Sequence, residues 1–115
     1  MAMEKENEIE REYRKMLRLE ELRSKVLDIK SSEFVELLEL EKEMAKRGNY
    51  TCEILFKPVD SDDSVYITLY PDGKMDVQVL TGGEEYSVSD VDYSKLRDFL
   101  LEHEVKKVVF EDIWS

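Results

Sequence analysis

The hydrophobic pattern of the chain changes its period at Gly48, and this change separates two parts of different secondary structure. Before Gly48, apolar residues recur at the spacing of a helix, and the stretch from Met3 to Lys30 contains no Gly or Pro. After Gly48, apolar residues alternate with polar ones or are β-branched and aromatic, as in strands. The order of the two patterns predicts an α+β fold, with helices laid on one face of a sheet.

Two helices are predicted before Gly48. The first runs from about Met3 to Lys30, where Glu, Lys, Arg and Leu, all good helix formers, predominate. Ser31 and Ser32 offer N-caps for the second helix, and Gly48 offers a C-terminal stop. The second helix has apolar residues at helical spacing: Phe34, Leu37, Leu38, Met44 and Ala45.

The rest of the chain predicts a mainly antiparallel sheet of four to five strands and one further helix. The first four strands are Tyr50 to Lys57, Ser64 to Tyr70, Lys74 to Leu80 and Glu84 to Val88. Pro71-Asp72-Gly73 and Thr81-Gly82-Gly83 are turn sequences, and tight turns favour an antiparallel meander. A third helix follows from about Tyr93, and residues 107–114 form a last strand. We expect one domain over residues 1–115, in the order α-α-β-β-β-β-α-β.

The negative charge of the chain is unevenly distributed. Residues 1–48 have 13 acidic and 11 basic side chains, a balance of −2, whereas residues 49–115 have 15 and 6, a balance of −9. The helical arm, residues 1–48, is therefore nearly neutral, and the β-rich part is acidic. An acidic surface favours contact with a basic protein partner through complementary charge, although it also serves solubility.

The composition indicates a cytoplasmic protein. No apolar run approaches the roughly 20 residues that span a bilayer, so we expect no membrane contact. The N-terminus lacks the apolar segment of a secretory signal, and the single cysteine, Cys52, cannot form an intramolecular disulfide. Charged residues are 39% of the chain while Asn and Gln are scarce, a balance that leans toward a hyperthermophilic host.

The first predicted helix has apolar residues on two sides. Their spacing averages less than 3.5 residues, so a straight helix cannot keep them on one face. The C-terminal group would pack on the second helix and the sheet: Leu19, Leu22, Val26 and Ile29. The N-terminal group would be left in water unless a second copy of the chain covered it: Ile9, Tyr13, Met16 and Leu17. We therefore predict a homodimer through these four residues.

A basic stripe on the same helix offers an alternative function. It comprises Arg11, Arg14, Lys15, Arg18 and Lys25, which lie within about 100° of one another. Such a stripe could contact nucleic acid. Interleaved glutamates and the acidic remainder of the chain oppose this contact. An ion-paired helix face is therefore the simpler interpretation, and a nucleic-acid partner is disfavoured.

Other candidate sites have weak signals. The sequence DSDDS at Asp60 to Ser64 lacks the Gly and Glu of a calcium loop at the diagnostic positions, and a solvated loop is the simpler interpretation. Thr81-Gly82-Gly83 is followed by glutamates, which would repel a phosphate. Cys52 and His103 are the only thiol and imidazole, and a nucleophile pair would also need a third orienting group and a cleft, which the sequence does not indicate. We therefore predict no catalytic residue, no metal and no cofactor.

These features predict a non-catalytic interaction or regulatory module. It would homodimerise through its first helix and present an acidic surface to a protein partner, for example as an inhibitor of a basic protein. A nucleic-acid-associated protein is the alternative, and a metal-dependent enzyme built from scattered carboxylates is a weaker third one.

Overall fold

The computed structural model describes the backbone of residues 2–115 and the side chains of residues 7–115. This part of the chain forms three helices and six strands. The helices are α1 (Ala2–Arg23), α2 (Ser32–Gly48) and α3 (Tyr93–Glu102). The strands are β1 (Leu27–Asp28), β2 (Cys52–Pro58), β3 (Ser64–Leu69), β4 (Met75–Thr81), β5 (Glu84–Val88) and β6 (Lys107–Trp114).

The strands form a single antiparallel sheet in the order β1-β6-β2-β3-β4-β5. The predicted turns connect β3 to β4 and β4 to β5, and Gly73, Gly82 and Gly83 all adopt the positive φ that such turns require. The α+β class and the element order are confirmed. The sheet has six strands rather than four to five, because β1 lies between the first two helices.

The prediction that the first helix continues to Lys30 is wrong. Helix α1 ends at Arg23, and β1 follows it, pairing Leu27 with Val108 of β6. The N–H of Ile29 continues the pairing by donating to the carbonyl of Lys106 at 3.0 Å. Burying Leu27 and Ile29 against the sheet is worth more than extending the helix, which would have left part of this apolar segment in water.

Capping residues fix both ends of α2. The Ser31 hydroxyl accepts the N–H of Phe34, as the N-cap prediction requires. At the other end Gly48 is still helical, and Asn49 adopts the left-handed conformation (φ 52°) that terminates the helix. Gly48 is needed for a different reason, since a Cβ there would lie 2.4 Å from the Tyr50 ring.

The three helices pack on one side of the sheet. Alternate residues of β2, β3 and β4 are buried in a core that also contains Leu22 of α1, Leu38 of α2 and Leu100 of α3. Phe56 lies at its centre, with edge-to-face contacts to Phe34 and Phe110. The intervening strand residues point to the opposite side, here called the open face, where they remain partly or fully exposed.

Helix α1 extends beyond its partner helix. Arg47, at the C-terminal end of α2, pairs with Glu12, so the part of α1 before Glu12 lies past the end of α2. This arrangement contributes to an elongated molecule of 55 × 27 × 23 Å. Within the described residues, no helix has both the length and the apolar character needed to cross a membrane.

Candidate interaction surfaces

The N-terminal half of α1 has four large apolar side chains in solvent, here called the α1 patch. Their exposed fractions are 68% for Ile9, 63% for Tyr13, 59% for Met16 and 47% for Leu17. Leu19 and Leu22, which lie further around the helix, are buried in the core. The two apolar sides expected from the spacing are therefore present on α1. The expectation that Val26 packs on the second helix and the sheet is wrong, because α1 ends at Arg23 and Val26 is 52% exposed. Ile29 is buried as expected, but it follows strand β1 and is not part of the helix.

The α1 patch continues into a groove between α1 and α2, here called the interhelical groove. Its volume is about 330 Å³, and its floor is apolar, formed by Met16, Leu19, Leu40 and Met44. Met16 belongs to both surfaces. The patch and the groove thus form one continuous apolar surface on the helical side of the molecule.

Ion pairs between the helices form the rim of the interhelical groove. Arg47 donates to both carboxylate oxygens of Glu12, at 2.6 and 2.9 Å, and Lys15 donates to Glu43 at 2.6 Å. The hydrogen bond from Arg47 lowers the pKa of Glu12, and that from Lys15 lowers the pKa of Glu43. An apolar floor with a charged rim is the usual organisation of a protein interface.

Most of the basic stripe is engaged within the chain. Arg18 binds both carboxylate oxygens of Glu36, at 2.8 and 2.9 Å, and the hydrogen bond raises the pKa of Arg18. Lys25 donates to Glu33 at 2.7 Å. The remaining members are Lys15, described above; Arg14, 3.6 Å from Glu10; and Arg11, which is exposed. The alternative function in nucleic-acid binding would require these ion pairs to be broken.

A buried ion pair, which the sequence reasoning missed, joins α1 to α2. Arg23 donates to both oxygens of Glu41, the one charged side chain that is fully buried among the described residues. Burial raises the pKa of Glu41, and Arg23 opposes this effect. The Arg23 guanidinium also stacks 4.7 Å over the ring of Phe110. The available signal was the position of Glu41 between Leu38 and Ala45, within the apolar stripe of α2.

The other predicted candidates lie in separate environments. Cys52 is buried beside Glu41 and Arg23, and burial raises the pKa of its thiol to about 11, so it is protonated at neutral pH. His103 lies at the end of α3, where it packs on Tyr86 and Phe99 with both ring centroids at 4.6 Å. The contacts of the two side chains do not overlap.

The acidic loop at Asp60 to Ser64 connects β2 to β3. Asp60 adopts a positive φ of 65°, and the Ser61 hydroxyl accepts the N–H of Asp63 at 3.0 Å. These are turn-forming contacts. Among the residues whose placement is described, no group of three His, Cys, Asp or Glu side chains is arranged to hold a metal ion.

The open face has an aromatic pair at one end, an exposed Trp114 and a half-buried Tyr66. The pair belongs to a group here called the Trp114 cluster: Glu53, Leu55, Tyr66, Asp112 and Trp114. Tyr66 of β3 and Trp114 of β6 stack across β2, with ring centroids 6.5 Å apart and an interplanar angle of 30°. Glu53 lies opposite Trp114 in the sheet register, and Leu55 lies between Asp112 and Tyr66. Trp114 is 48% exposed.

Comparison of the chain with protein-family models, curated proteins and solved structures finds no match. The two surfaces that remain as candidates for function are the α1 patch with its groove, and the open face of the sheet.

Proposed function

We propose that this protein is a non-catalytic interaction module that homodimerises through α1 and offers its acidic part to a protein partner. The observation that supports the proposal best is the α1 patch, four large apolar side chains at 47% to 68% exposure. An apolar patch of this kind is unfavourable in water and normally marks an interface. A second copy of the chain is the occupant we propose.

The charge distribution favours self-association through this side of the molecule. The helical arm has a balance of only −2, and its cations and glutamates are largely paired across α1 and α2. Two copies that meet through the rest of the chain would bring together segments of −9 each. Dimerisation through α1 avoids that repulsion, because like charges on approaching surfaces cost several kcal/mol.

Symmetry is compatible with the shape of the surface. In a two-fold dimer the same patch serves both copies, so an antiparallel pair of α1 helices would place Tyr13 and Met16 of each copy near those of the other. The part of α1 beyond α2 is accessible from several directions. The side chains of one copy could then cover the interhelical groove of the other.

The non-catalytic part of the proposal is supported by what the reactive groups do. Glu41 is held by Arg23, Asp92 caps α3 by accepting the N–H of Lys95, and the Cys52 thiol is buried and protonated. These groups therefore stabilise the fold. A cytoplasmic location and a high-temperature host belong to the same proposal, and the interhelix ion pairs agree with the latter.

The test replaces two patch residues by acids. Tyr13→Glu combined with Met16→Glu should convert a dimer into a monomer, because four carboxylates would meet at the two-fold interface. Light scattering at about 50 μM, above the micromolar range of weak dimers, measures the mass. Circular dichroism checks that the domain stays folded, as expected for exposed positions.

The matched control places acids at two exposed apolar positions outside the patch. Val26→Glu combined with Val59→Glu changes the charge equally, and this variant should remain dimeric. A control that is as monomeric as the patch variant would indicate general charge repulsion and refute the assigned interface. A dimeric patch variant would refute it as well.

A further inference from the structure

The open face has an aromatic surface of its own at the Trp114 cluster, where Trp114 is exposed and Tyr66 and Leu55 are half-buried. Exposed tryptophan is uncommon on protein surfaces but frequent at the centres of interfaces, because its ring gives a large contact area at little entropic cost. Here Trp114 is held in place by stacking on Tyr66, and Leu55 lies beside both in the register. The cluster is therefore a preformed aromatic platform.

Two carboxylates border this platform. Glu53 and Asp112 are both exposed, and among residues 7–115 no lysine or arginine forms an ion pair with either. The nearby Lys57 donates to Ser64 at 2.9 Å instead. The glutamates on the helical side differ, since Glu36, Glu41 and Glu43 each accept from a cation. The cluster thus combines aromatic rings with negative charge that the fold has not neutralised.

We propose that the Trp114 cluster binds an arginine-bearing segment of a basic protein partner. A guanidinium stacks on the Trp114 ring while its N–H groups donate to Glu53 or Asp112, and Leu55 packs on the aliphatic part of the arginine side chain. Arginine fits both halves of this site, because it is planar, stacks on aromatic rings and binds carboxylates with two parallel hydrogen bonds. Phosphate-bearing partners are disfavoured by the same carboxylates.

Within the protein itself, Arg23 is bound by an aromatic ring and a carboxylate together, as we propose for the external arginine. Arg23 stacks on Phe110 and binds Glu41 with two nitrogen atoms at the same time. The Trp114 cluster offers an aromatic ring and carboxylates to an external arginine in a similar combination. The inference rests on the acidic surface of the proposed function and not on the dimer, because the helices lie on the other side of the sheet.

The sequence contains one tryptophan, so the fluorescence of Trp114 reports on this surface alone. The probe is a short acetylated and amidated peptide of alternating arginine and glycine, titrated into the full chain. We expect a saturable change in Trp114 fluorescence that weakens with added salt. The same peptide with citrulline in place of arginine should give no saturable change, and a lysine peptide should bind several-fold more weakly.

Variants separate local recognition from general attraction to a protein of net charge −11. Glu53→Gln with Asp112→Asn should weaken arginine-peptide binding about tenfold or more. Asp98→Asn with Glu102→Gln, on the exposed side of α3, removes the same charge and should change it by about twofold or less. Glu53→Gln alone serves if the double variant does not fold.

Three outcomes would overturn the inference: no saturable Trp114 response, equal binding of the citrulline or lysine peptide, or equal weakening by both variant pairs. The titration is repeated on the Tyr13→Glu, Met16→Glu chain, which should bind the peptide as the wild type does. A monomeric wild type that still binds arginine would refute the dimer and leave this inference intact. A dimeric wild type that does not bind the arginine peptide would refute this inference and leave the dimer intact.

Discussion

At the scale of single residues, Glu41 departs most from its expected behaviour. Glutamate is rarely buried unless it is paired, and here Arg23 supplies the partner from the end of α1. The sequence shows an acid within the apolar stripe of α2, but not which cation reaches it. That choice depends on how α1 and α2 pack, and on the ring of Phe110 from β6, all of which are tertiary contacts.

Removing one partner of the buried pair should cost more than removing both. Glu41→Ala is expected to lower the free energy of unfolding by about 3 kcal/mol, because it leaves Arg23 partly buried without its counter-ion. Arg23→Met combined with Glu41→Leu should restore most of this loss, since it replaces the pair by packed apolar side chains. Urea unfolding of both variants measures the difference, and a double variant less stable than Glu41→Ala would contradict this account of the pair.

At the scale of elements, periodicity predicted most of the fold. The second helix, the third helix and five of the six strands form where the pattern placed them, because amphipathic spacing and turn residues are local signals. The predicted end of the first helix was wrong, because the pairing of Leu27 with Val108 involves a strand far along the chain. The exposed patch was predicted as a set of residues, whereas the interhelical groove and the Trp114 cluster required the register of the sheet and the packing of the helices.

The helix pair should lose stability in acid. Four glutamates of α1 and α2 have lowered pKa values, because each accepts a hydrogen bond from a cation. The pairs are Glu12 with Arg47, Glu33 with Lys25, Glu36 with Arg18 and Glu43 with Lys15. A carboxyl group whose pKa is lowered in the folded state stabilises the fold at pH values above 4.5, which is its pKa in the unfolded chain. This stabilisation is lost as the pH falls from 4.5 through the folded pKa. The urea midpoint should therefore decrease between about pH 6 and about pH 3.

The raised pKa of Glu41 acts in the opposite direction. In the folded state Glu41 holds a proton more tightly than in the unfolded chain, so this residue alone would favour the fold as the pH falls through that folded pKa toward 4.5.

Lys15→Gln with Arg18→Gln should flatten the decrease of the urea midpoint in acid, and the control Lys106→Gln with Lys107→Gln should leave it largely unchanged. An equally steep decrease in the first variant would show that these ion pairs are not its source.

At the scale of the whole molecule, the two sides differ in how their charge is used. On the helical side, glutamates and cations neutralise one another around an apolar groove. On the open face, Glu53 and Asp112 border the exposed Trp114 ring, which stacks on Tyr66. We propose that the molecule binds its own copy through one side and a basic partner through the other, without competition between the two.

The proposal that the chain homodimerises through α1 is tested by the mass of the wild-type chain in solution. Sedimentation equilibrium, run over a range of concentrations up to about 50 μM, measures it without any substitution. We predict a particle of about twice the 13.6 kDa chain mass, because we propose that a second copy covers the α1 patch. A mass of 13.6 kDa over the whole range would contradict the claim.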